Sequence, residues 1–209
     1  MTTPKEVGML FSGPMVRAVL EGRKSQTRRT QGLDDVNDKP ESWAITWQGI
    51  EATTGKWLVQ FNRPLAVGVC RAKISPGDTI YVKETHGYVL DRDDNECIVY
   101  RCDGEKESAM QNQGERVKWK PSIFMPKASA RIWLTCTAVR CERLGDITEA
   151  GAMAEGVIGC KRANSYPRGT DGQPNRAEYA ILWDTIHGKG AWDHDQNKFV
   201  WVYSFERKK

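Results

Sequence analysis

The first apolar positions of the chain recur at the spacing of an α-helix. They follow Pro14, a residue that the first turn of a helix tolerates well, and they stop just before Gly22. Because glycine readily takes the left-handed conformation that ends a helix, the pattern predicts a helix between these two residues. The polar residues 31–42 that come later predict a loop. The apolar residues of the predicted helix are Met15, Val16, Ala18, Val19 and Leu20.

Alternating apolar and polar residues predict a series of β-strands in the rest of the chain. Trp43–Trp47 and Lys56–Phe61 flank a Thr-Thr-Gly turn at 53–55, an arrangement typical of a β-hairpin. We also predict strands at Thr79–Glu84, Cys97–Cys102, Arg131–Arg143 and Lys198–Glu206.

The strand predicted at Arg131–Arg143 is the longest of these, and a short helix is expected after it. Its even-numbered positions from Ile132 to Ala138 are apolar, which places them on one side of the strand. Asp146 is a suitable N-cap for the helix because Glu149 follows at the spacing of a capping box, and Gly156 is suited to end it.

A later helix is predicted at Arg176–Ile186. Its apolar residues lie on one helical face, which favours a face packed into the core. The residues of this face are Tyr179, Leu182, Trp183 and Ile186.

Length and charge limit the classes of protein that this chain can form. It has 209 residues, a net charge of +4 and a pI of about 8.7, which is less basic than a dedicated duplex-binding domain. Any affinity for nucleic acid must therefore come from local clusters of charge. We expect no membrane partner and a cytoplasmic protein, because no stretch is apolar enough to span a bilayer and the start of the chain lacks the apolar core of a signal peptide.

The six cysteines do not show the spacing of a metal site. Zinc sites generally use pairs two to four residues apart, and the pairs Cys97/Cys102 and Cys136/Cys141 are wider than that. Reduced thiols and no metal or cofactor are therefore expected. The other two cysteines are Cys70 and Cys160.

A cluster of cations follows the first predicted helix. It carries one lysine and three arginines within eight residues, and Glu21 is the one carboxylate close by. A solvated helix face would intersperse its cations with carboxylates, so these charges favour an anion as their target. Lys24 and Thr27 are three residues apart, so their side chains lie on the same side in a helical turn and on opposite sides in a strand. We expect a helical turn here, which places both side chains on one side. The cluster runs Gly22, Arg23, Lys24, Ser25, Gln26, Thr27, Arg28 and Arg29.

This cluster and four further elements, in this order, resemble ASCH-domain proteins, and the larger phage and prophage forms in particular. The resemblance covers most of the chain. The further elements are the Pro76–Thr85 turn and strand, Trp119–Pro126, the segment from Glu142 to Gly156, and the terminal Val200–Tyr203 strand.

The resemblance implies an α+β protein with a PUA-like fold, a small mixed β-barrel flanked by helices. We expect residues 1–209 to form one such domain, with insertions near 31–75, 87–117 and 159–175. The insertions are candidates for capping a pocket, for changing the ligand that it accepts or for forming a binding surface.

The resemblance also implies an activity. Some small bacterial members are amidohydrolases that remove the acyl group of N4-acetylcytidine with a lysine, a threonine and a glutamate. These residues fall on Lys24, Thr27 and Glu155, and no metal is implied. Other relatives bind nucleic acid or cleave RNA, so a modified nucleoside or RNA is the expected partner, and a binding module or a ribonuclease is the alternative.

The chemistry of these residue types agrees with the amidohydrolase hypothesis. A threonine hydroxyl attacks an amide only if a neighbour takes its proton, and a lysine does so only if its pKa falls from about 10.4 towards 7. Burial and nearby arginines lower a lysine pKa in this way. Glu155 precedes a helix-ending glycine, where the helix dipole disfavours a carboxylate unless a cation such as Lys24 compensates it.

Further residues are candidates for binding the substrate, each with an ordinary structural alternative. The arginines of the cluster suit an oxyanion or a phosphate. Glu84 is a candidate for binding a substrate amine, and its structural alternative is an ion pair with a surface lysine. Trp119 lies between two lysines and is a candidate for stacking on a base, and its alternative is packing at the edge of the core. Ser12 is a candidate for binding an anion at the start of the first helix, and its alternative is an ordinary N-cap of that helix. The arginines are Arg23, Arg28 and Arg29.

Overall fold

Strands make up most of the regular structure in the computed structural model, which describes residues 3–91, 93, 95–104, 117–159, 167, 169–170 and 172–208. Within these residues the protein is of the α+β class. The strands are β1 Glu6–Leu10, β2 Gln26–Arg29, β3 Ala44–Ile50, β4 Trp57–Arg63, β5 Ala66–Arg71, β6 Thr79–Lys83, β7 His86–Leu90, β8 Glu96–Tyr100, β9 Trp133–Arg143 and β10 Phe199–Arg207. The α-helices are α1 Gly13–Leu20, α2 Asp34–Asn37, α3 Glu149–Ala154, α4 Pro174–His187 and α5 Ala191–Asp195.

The central sheet has five strands in the order β1-β6-β9-β10-β2. β1 and β6 are parallel and the other neighbours are antiparallel. The edge strands approach each other, as shown by a hydrogen bond of 3.1 Å that Arg29 of β2 donates to the carbonyl oxygen of Leu10 in β1. Backbone pairing between these edges is not seen in the described part of the chain, so the central sheet is not closed into a barrel by its backbone. Smaller sheets, β3-β4-β5 and β7-β8, complete the fold.

Most predicted elements are confirmed. The first helix ends at Gly22, whose φ of 75° needs a glycine, and the predicted hairpin is β3 and β4. The loop prediction for 31–42 is wrong in part, because α2 and a 3₁₀ turn at Pro40–Ser42 lie within it. The polar tract 103–117 and residues 159–175, whose sequences lack the periodicity of a regular element and therefore predict loops, lie largely outside the described residues.

Two local predictions are wrong. The side chain that caps α3 belongs to Thr148, which accepts a hydrogen bond of 3.0 Å from the backbone of Gly151, whereas Asp146 lies in a preceding 3₁₀ turn. The segment from Lys24 to Thr27 is not a helical turn. Lys24 forms an isolated β-bridge with Glu155, and Thr27 belongs to β2, because β10 supplies a backbone pairing partner that local sequence does not reveal.

A β-bulge changes which side chains of β9 face each other. Ala138 pairs with Ser204, but Cys136 pairs with Phe205, so β9 has one residue more than β10 at this point. The prediction that Ala138 continues the buried row of Cys136 is therefore wrong, and burial resumes at Val139. The bulge turns Glu142 to the opposite face of the sheet, which is the face of the candidate site.

The two faces of the central sheet carry different cores. Leu134, Cys136, Trp201 and Tyr203 belong to the larger core. Helices α3 and α4 cover the other face, where the smaller core joins sheet and helix residues. That smaller core consists of Leu144, Ile147, Ala152, Tyr179, Ala180, Trp183, Trp192, Val200 and Val202.

None of the helices in the described ranges is both long enough and apolar enough to cross a membrane.

Candidate active site

A buried ion pair joins the cationic cluster to the distant carboxylate. The Lys24 ammonium donates a hydrogen bond of 2.7 Å to Glu155 Oε2 and one of 2.9 Å to the Glu155 carbonyl oxygen. The exposed fraction of the two side chains is 0% and 2%. The loop after α1 and the end of α3 meet here, and the two partners are 131 positions apart in the sequence.

Gly156 allows these two segments to approach. Its φ is 89°, and an added Cβ would lie 2.7 Å from the Cβ of Ala18 and 2.8 Å from that of Lys24. Only glycine accommodates both the left-handed conformation and the close contact. It therefore ends α3 and also brings Glu155 to Lys24.

A second cation completes the coordination of Glu155. Arg28 Nη1 lies 3.0 Å from Glu155 Oε1, while its Nε and Nη2 donate to Glu142 Oε1 at 3.0 and 2.8 Å. Arg140 Nε donates to the other oxygen of Glu142 at 2.8 Å. The site is therefore a chain of alternating charge, in which both oxygens of Glu155 are held by cations from different segments.

Burial changes the proton affinity of this site. Burial is the largest influence on Lys24 and lowers the pKa of its ammonium below 10.5, opposed by Glu155 and assisted by Arg29 and Arg28. Burial also acts on Arg28, but Glu155 and Glu142 outweigh it and raise the pKa of its guanidinium. Of the two cations that contact Glu155, Lys24 is thus the one that releases a proton more readily.

The pH dependence of stability tests the lowered pKa of Lys24. Between that lowered pKa and 10.5 the unfolded chain binds more protons at this position than the folded protein, so stability rises with pH in this window. We expect the loss of unfolding free energy caused by Lys24→Met to grow as the pH rises from 8 towards 10.5. Urea unfolding of both proteins at several pH values measures it, and a loss that shrinks over this range would contradict the shift.

A cavity of about 440 Å³ opens in front of Glu155. Arg28 and Arg29 of β2 line it on one side, with the segment that leads into α1. Helix α4 forms the other wall, where the rings of Trp183 and His187 stack with their centroids 4.0 Å apart. A planar aromatic wall opposite cations is suited to a heteroaromatic ring. The lining residues that the argument uses are Phe11, Ser12, Arg28, Arg29, Glu155, Tyr179, Trp183 and His187.

Arg29 differs from the other cations of the cluster. Its guanidinium donates hydrogen bonds to the carbonyl oxygens of Arg28 and Leu10, at 3.0 and 3.1 Å, and lies 5.7 Å from the ring centre of Phe11. Among the described residues it forms no ion pair, whereas Arg23 pairs with Glu21. The cluster was expected to bind an anion, and its anionic partners are largely carboxylates of the protein itself. Arg29 is the cation of the cluster that is left to bind a ligand in the cavity.

Thr27 is the third residue of the expected catalytic set, and the structure places it differently. It pairs with Tyr203, a residue of the larger core, while its neighbour Arg28 pairs with Val202 of the smaller core. Strand alternation therefore puts Thr27 and Arg28 on opposite faces. The Thr27 hydroxyl is fully buried, finds no hydrogen-bond partner among the described residues and does not line the cavity.

The remaining predicted residues divide between the cavity and other places. Ser12 lines the cavity, and its side chain forms no cap hydrogen bond with α1. Arg23 reaches the carbonyl oxygen of Gly156, close to Glu155 but outside the main cavity. Trp119 lies against β7, where a Cβ added to Gly87 would come within 3.5 Å of its ring.

Glu84 is also away from the cavity. It is buried and forms a two-point ion pair with Arg131, with both N–O distances at 2.9 Å. The Cys102 thiol donates to the same carboxylate at 3.1 Å. Its partners are therefore internal to the protein.

Sequence analysis missed several residues of the cavity wall. Tyr179 and Trp183 were predicted to be core residues, and the helical face that they form does pack inward, but it also lines the cavity. Glu142 was noticed only as part of a motif. The spacing of Tyr179, Trp183 and His187 by four residues along α4 is the signal that identifies an aromatic row.

The described residues contain no group of three or more potential metal ligands. Five cysteines are free thiols, and Cys160 lies outside the described residues. Burial raises the pKa of the Cys102 thiol to about 12, so this thiol is a poor nucleophile.

Comparison of the chain with protein-family models, with curated proteins and with solved structures finds no match.

Proposed function

We propose that the protein is an amidohydrolase that removes the acyl group from N4-acylated cytidine, such as N4-acetylcytidine, without a metal. The observation that carries this proposal is the buried Lys24–Glu155 pair at the wall of a cavity with aromatic and cationic sides. In the same proposal the central sheet, whose edge strands are linked by the hydrogen bond from Arg29 to Leu10, corresponds to the PUA-like barrel that the resemblance to ASCH-domain proteins implies.

The residues supply the proton transfers that amide hydrolysis needs. Glu155 faces the cavity and is the group that exchanges a proton with the substrate, and Lys24 behind it, 2.7 Å away, holds the carboxylate and shares that proton. An oxygen nucleophile gives its proton to the Glu155–Lys24 pair as it adds to the acyl carbon, the bond from that carbon to N4 breaks, and N4 takes this proton as cytidine leaves. Attack by water yields acetate directly, whereas attack by Thr27 leaves an ester that water then hydrolyses to acetate and free threonine. Arg29, which forms no ion pair in the described part of the chain, is the candidate to stabilise the developing oxyanion.

Thr27 enters the mechanism from the resemblance, as the nucleophile or as the group that holds the attacking water. A buried hydroxyl without a partner destabilises the folded protein. This cost makes Thr27 testable through stability as well as through activity.

Thr27→Val tests that role, because valine has nearly the same shape and lacks the hydroxyl. We expect the free energy of unfolding to rise by about 1 kcal/mol or more, since the unpaired polar atom is removed. Turnover of N4-acetylcytidine should fall at least about 100-fold, the lower end of what a positioned catalytic group contributes. Thr27→Ser is the matched control and should keep most activity. An active Thr27→Val variant would assign the attack to water and remove Thr27 from the mechanism.

The burial of the cations argues against the two alternatives. A binding module would hold phosphate with Lys24, Arg28 and Arg29, and a ribonuclease would use Lys24, but Lys24 and Arg28 are nearly inaccessible and are paired with Glu155 and Glu142. Releasing them would leave buried carboxylates unpaired, at a cost of about 3–5 kcal/mol for a broken buried pair.

The decisive experiment is incubation of the purified protein with N4-acetylcytidine and, separately, with labelled RNA, both in the presence of EDTA. We expect cytidine and acetate from the first substrate and intact RNA from the second. Binding of either ligand without product would favour the binding module, and shortened RNA would favour the ribonuclease.

A further inference from the structure

Glu155 lines a second cavity as well as the main one. This second cavity has a volume of about 270 Å³ and lies between the start of α1, the residues after α3 and the side of α4. Met15, Glu155 and Leu182 line both cavities, so the two spaces adjoin at these three residues. A ligand whose reacting bond lies at Glu155 can therefore extend to both sides of it.

The lining of the second cavity is suited to an aliphatic group. Met15 is buried, Val157 and Leu182 are partly buried, and Ile158 is 67% exposed at the rim. An apolar side chain left so exposed gains from contact with an apolar ligand. The hydrophobic wall of this cavity consists of Pro14, Met15, Val157, Ile158 and Leu182.

The cations at this cavity do not make it an anion site. Arg23 pairs with Glu21 and donates to the carbonyl oxygen of Gly156. Arg17 donates to the carbonyl oxygen of Cys102 at 3.1 Å, and Glu178 adds a negative charge. A carboxylate or phosphate entering here would meet the carboxylates of Glu155 and Glu178, beside two arginines that already donate hydrogen bonds to the protein.

We infer that the second cavity is the subsite for the acyl chain of the substrate, and that it selects aliphatic N4-acyl groups longer than acetyl. This inference rests on the proposed function. The base ring of the substrate occupies the aromatic side of the main cavity, so the acyl carbon meets Glu155 and the rest of the chain lies beyond it. The volume of about 270 Å³ far exceeds the roughly 30 Å³ that one water molecule occupies in the liquid, so a chain of several methylene groups has room.

The test compares the binding of N4-acetylcytidine and N4-hexanoylcytidine to the full chain by stopped-flow tryptophan fluorescence, read before turnover, since Trp183 lines the main cavity. We expect the hexanoyl compound to bind the wild-type protein at least about tenfold more tightly, because each buried methylene adds affinity. Glu178→Trp places a large ring at the cavity and should abolish this preference. Ile181→Trp, on the same helix but outside both cavities, should retain it. Ile158→Ser, at an exposed position, is a second probe and should weaken the preference several-fold.

The outcomes separate this inference from the proposed function. A wild-type protein that binds the two compounds equally, or a preference that survives Glu178→Trp and Ile158→Ser, overturns the subsite. Turnover measured on the same samples tests the hydrolase independently. A chain-length preference without turnover supports the subsite and rejects the hydrolase, whereas turnover of the acetyl compound without a preference does the reverse. Absence of all binding rejects both.

Discussion

Glu155→Gln should reduce the turnover of N4-acetylcytidine by about 10²- to 10⁴-fold, the range that a positioned acid or base contributes. Glutamine keeps the size of the side chain and one oxygen that accepts a hydrogen bond, but it carries no charge and does not exchange a proton with the leaving amine. Because Glu155 is the member of the pair that lines the cavity, the loss should appear mainly in kcat. Steady-state kinetics at a temperature well below the melting point measures it.

The same substitution also weakens the fold, and the design must separate the two effects. It leaves Lys24 and Arg28 as buried cations facing a neutral amide, and breaking a buried pair costs about 3–5 kcal/mol. Circular dichroism and urea unfolding give the folded fraction under assay conditions. Glu149→Gln, at the other end of α3 and outside the cavity, is the matched control and should keep its activity. Turnover that falls only in proportion to the folded fraction would show that Glu155 is structural.

The parts of this site that sequence predicted are those with a local signal. The helix before Gly22, the cluster at 22–29 and the end of α3 at Gly156 each depend on residues close together in the chain, and each appears where it was expected. The resemblance added the association of Lys24 with Glu155, which no local pattern contains. Their distance of 2.7 Å follows from tertiary packing across 131 residues of sequence.

The parts that sequence missed depend on long-range geometry. The bulge in β9 shifts the register between β9 and β10 by one residue, which the sequence of neither strand alone shows. This shift turns Glu142 towards Arg28. Likewise, periodicity placed Trp183 on the inward face of α4 but does not distinguish a packed face from the wall of a cavity. The strand that contains Thr27 exists because β10 pairs with it, so an interpretation from local spacing gave the wrong conformation.

The last prediction separates the structural and chemical roles of the buried pair. Lys24→Met should lower the free energy of unfolding by about 3–5 kcal/mol, because it removes one partner and leaves Glu155 with Arg28 alone. The double variant Lys24→Met/Glu155→Met should recover most of that loss, since replacing a buried ion pair with apolar side chains of similar volume is often neutral or stabilising. Arg28 keeps two hydrogen bonds to Glu142 in the double variant, so its charge stays compensated.

Activity should not recover with stability in this double-mutant cycle. Urea unfolding of the wild-type protein, both single variants and the double variant gives the coupling free energy between the two residues, and deacylation assays on the same samples give their catalytic roles. If the pair only supports the fold, the double variant will be both stable and active. We expect a protein nearly as stable as the wild type that binds nucleoside but forms no product, because the proton exchanged with N4 then has no carrier in the cavity.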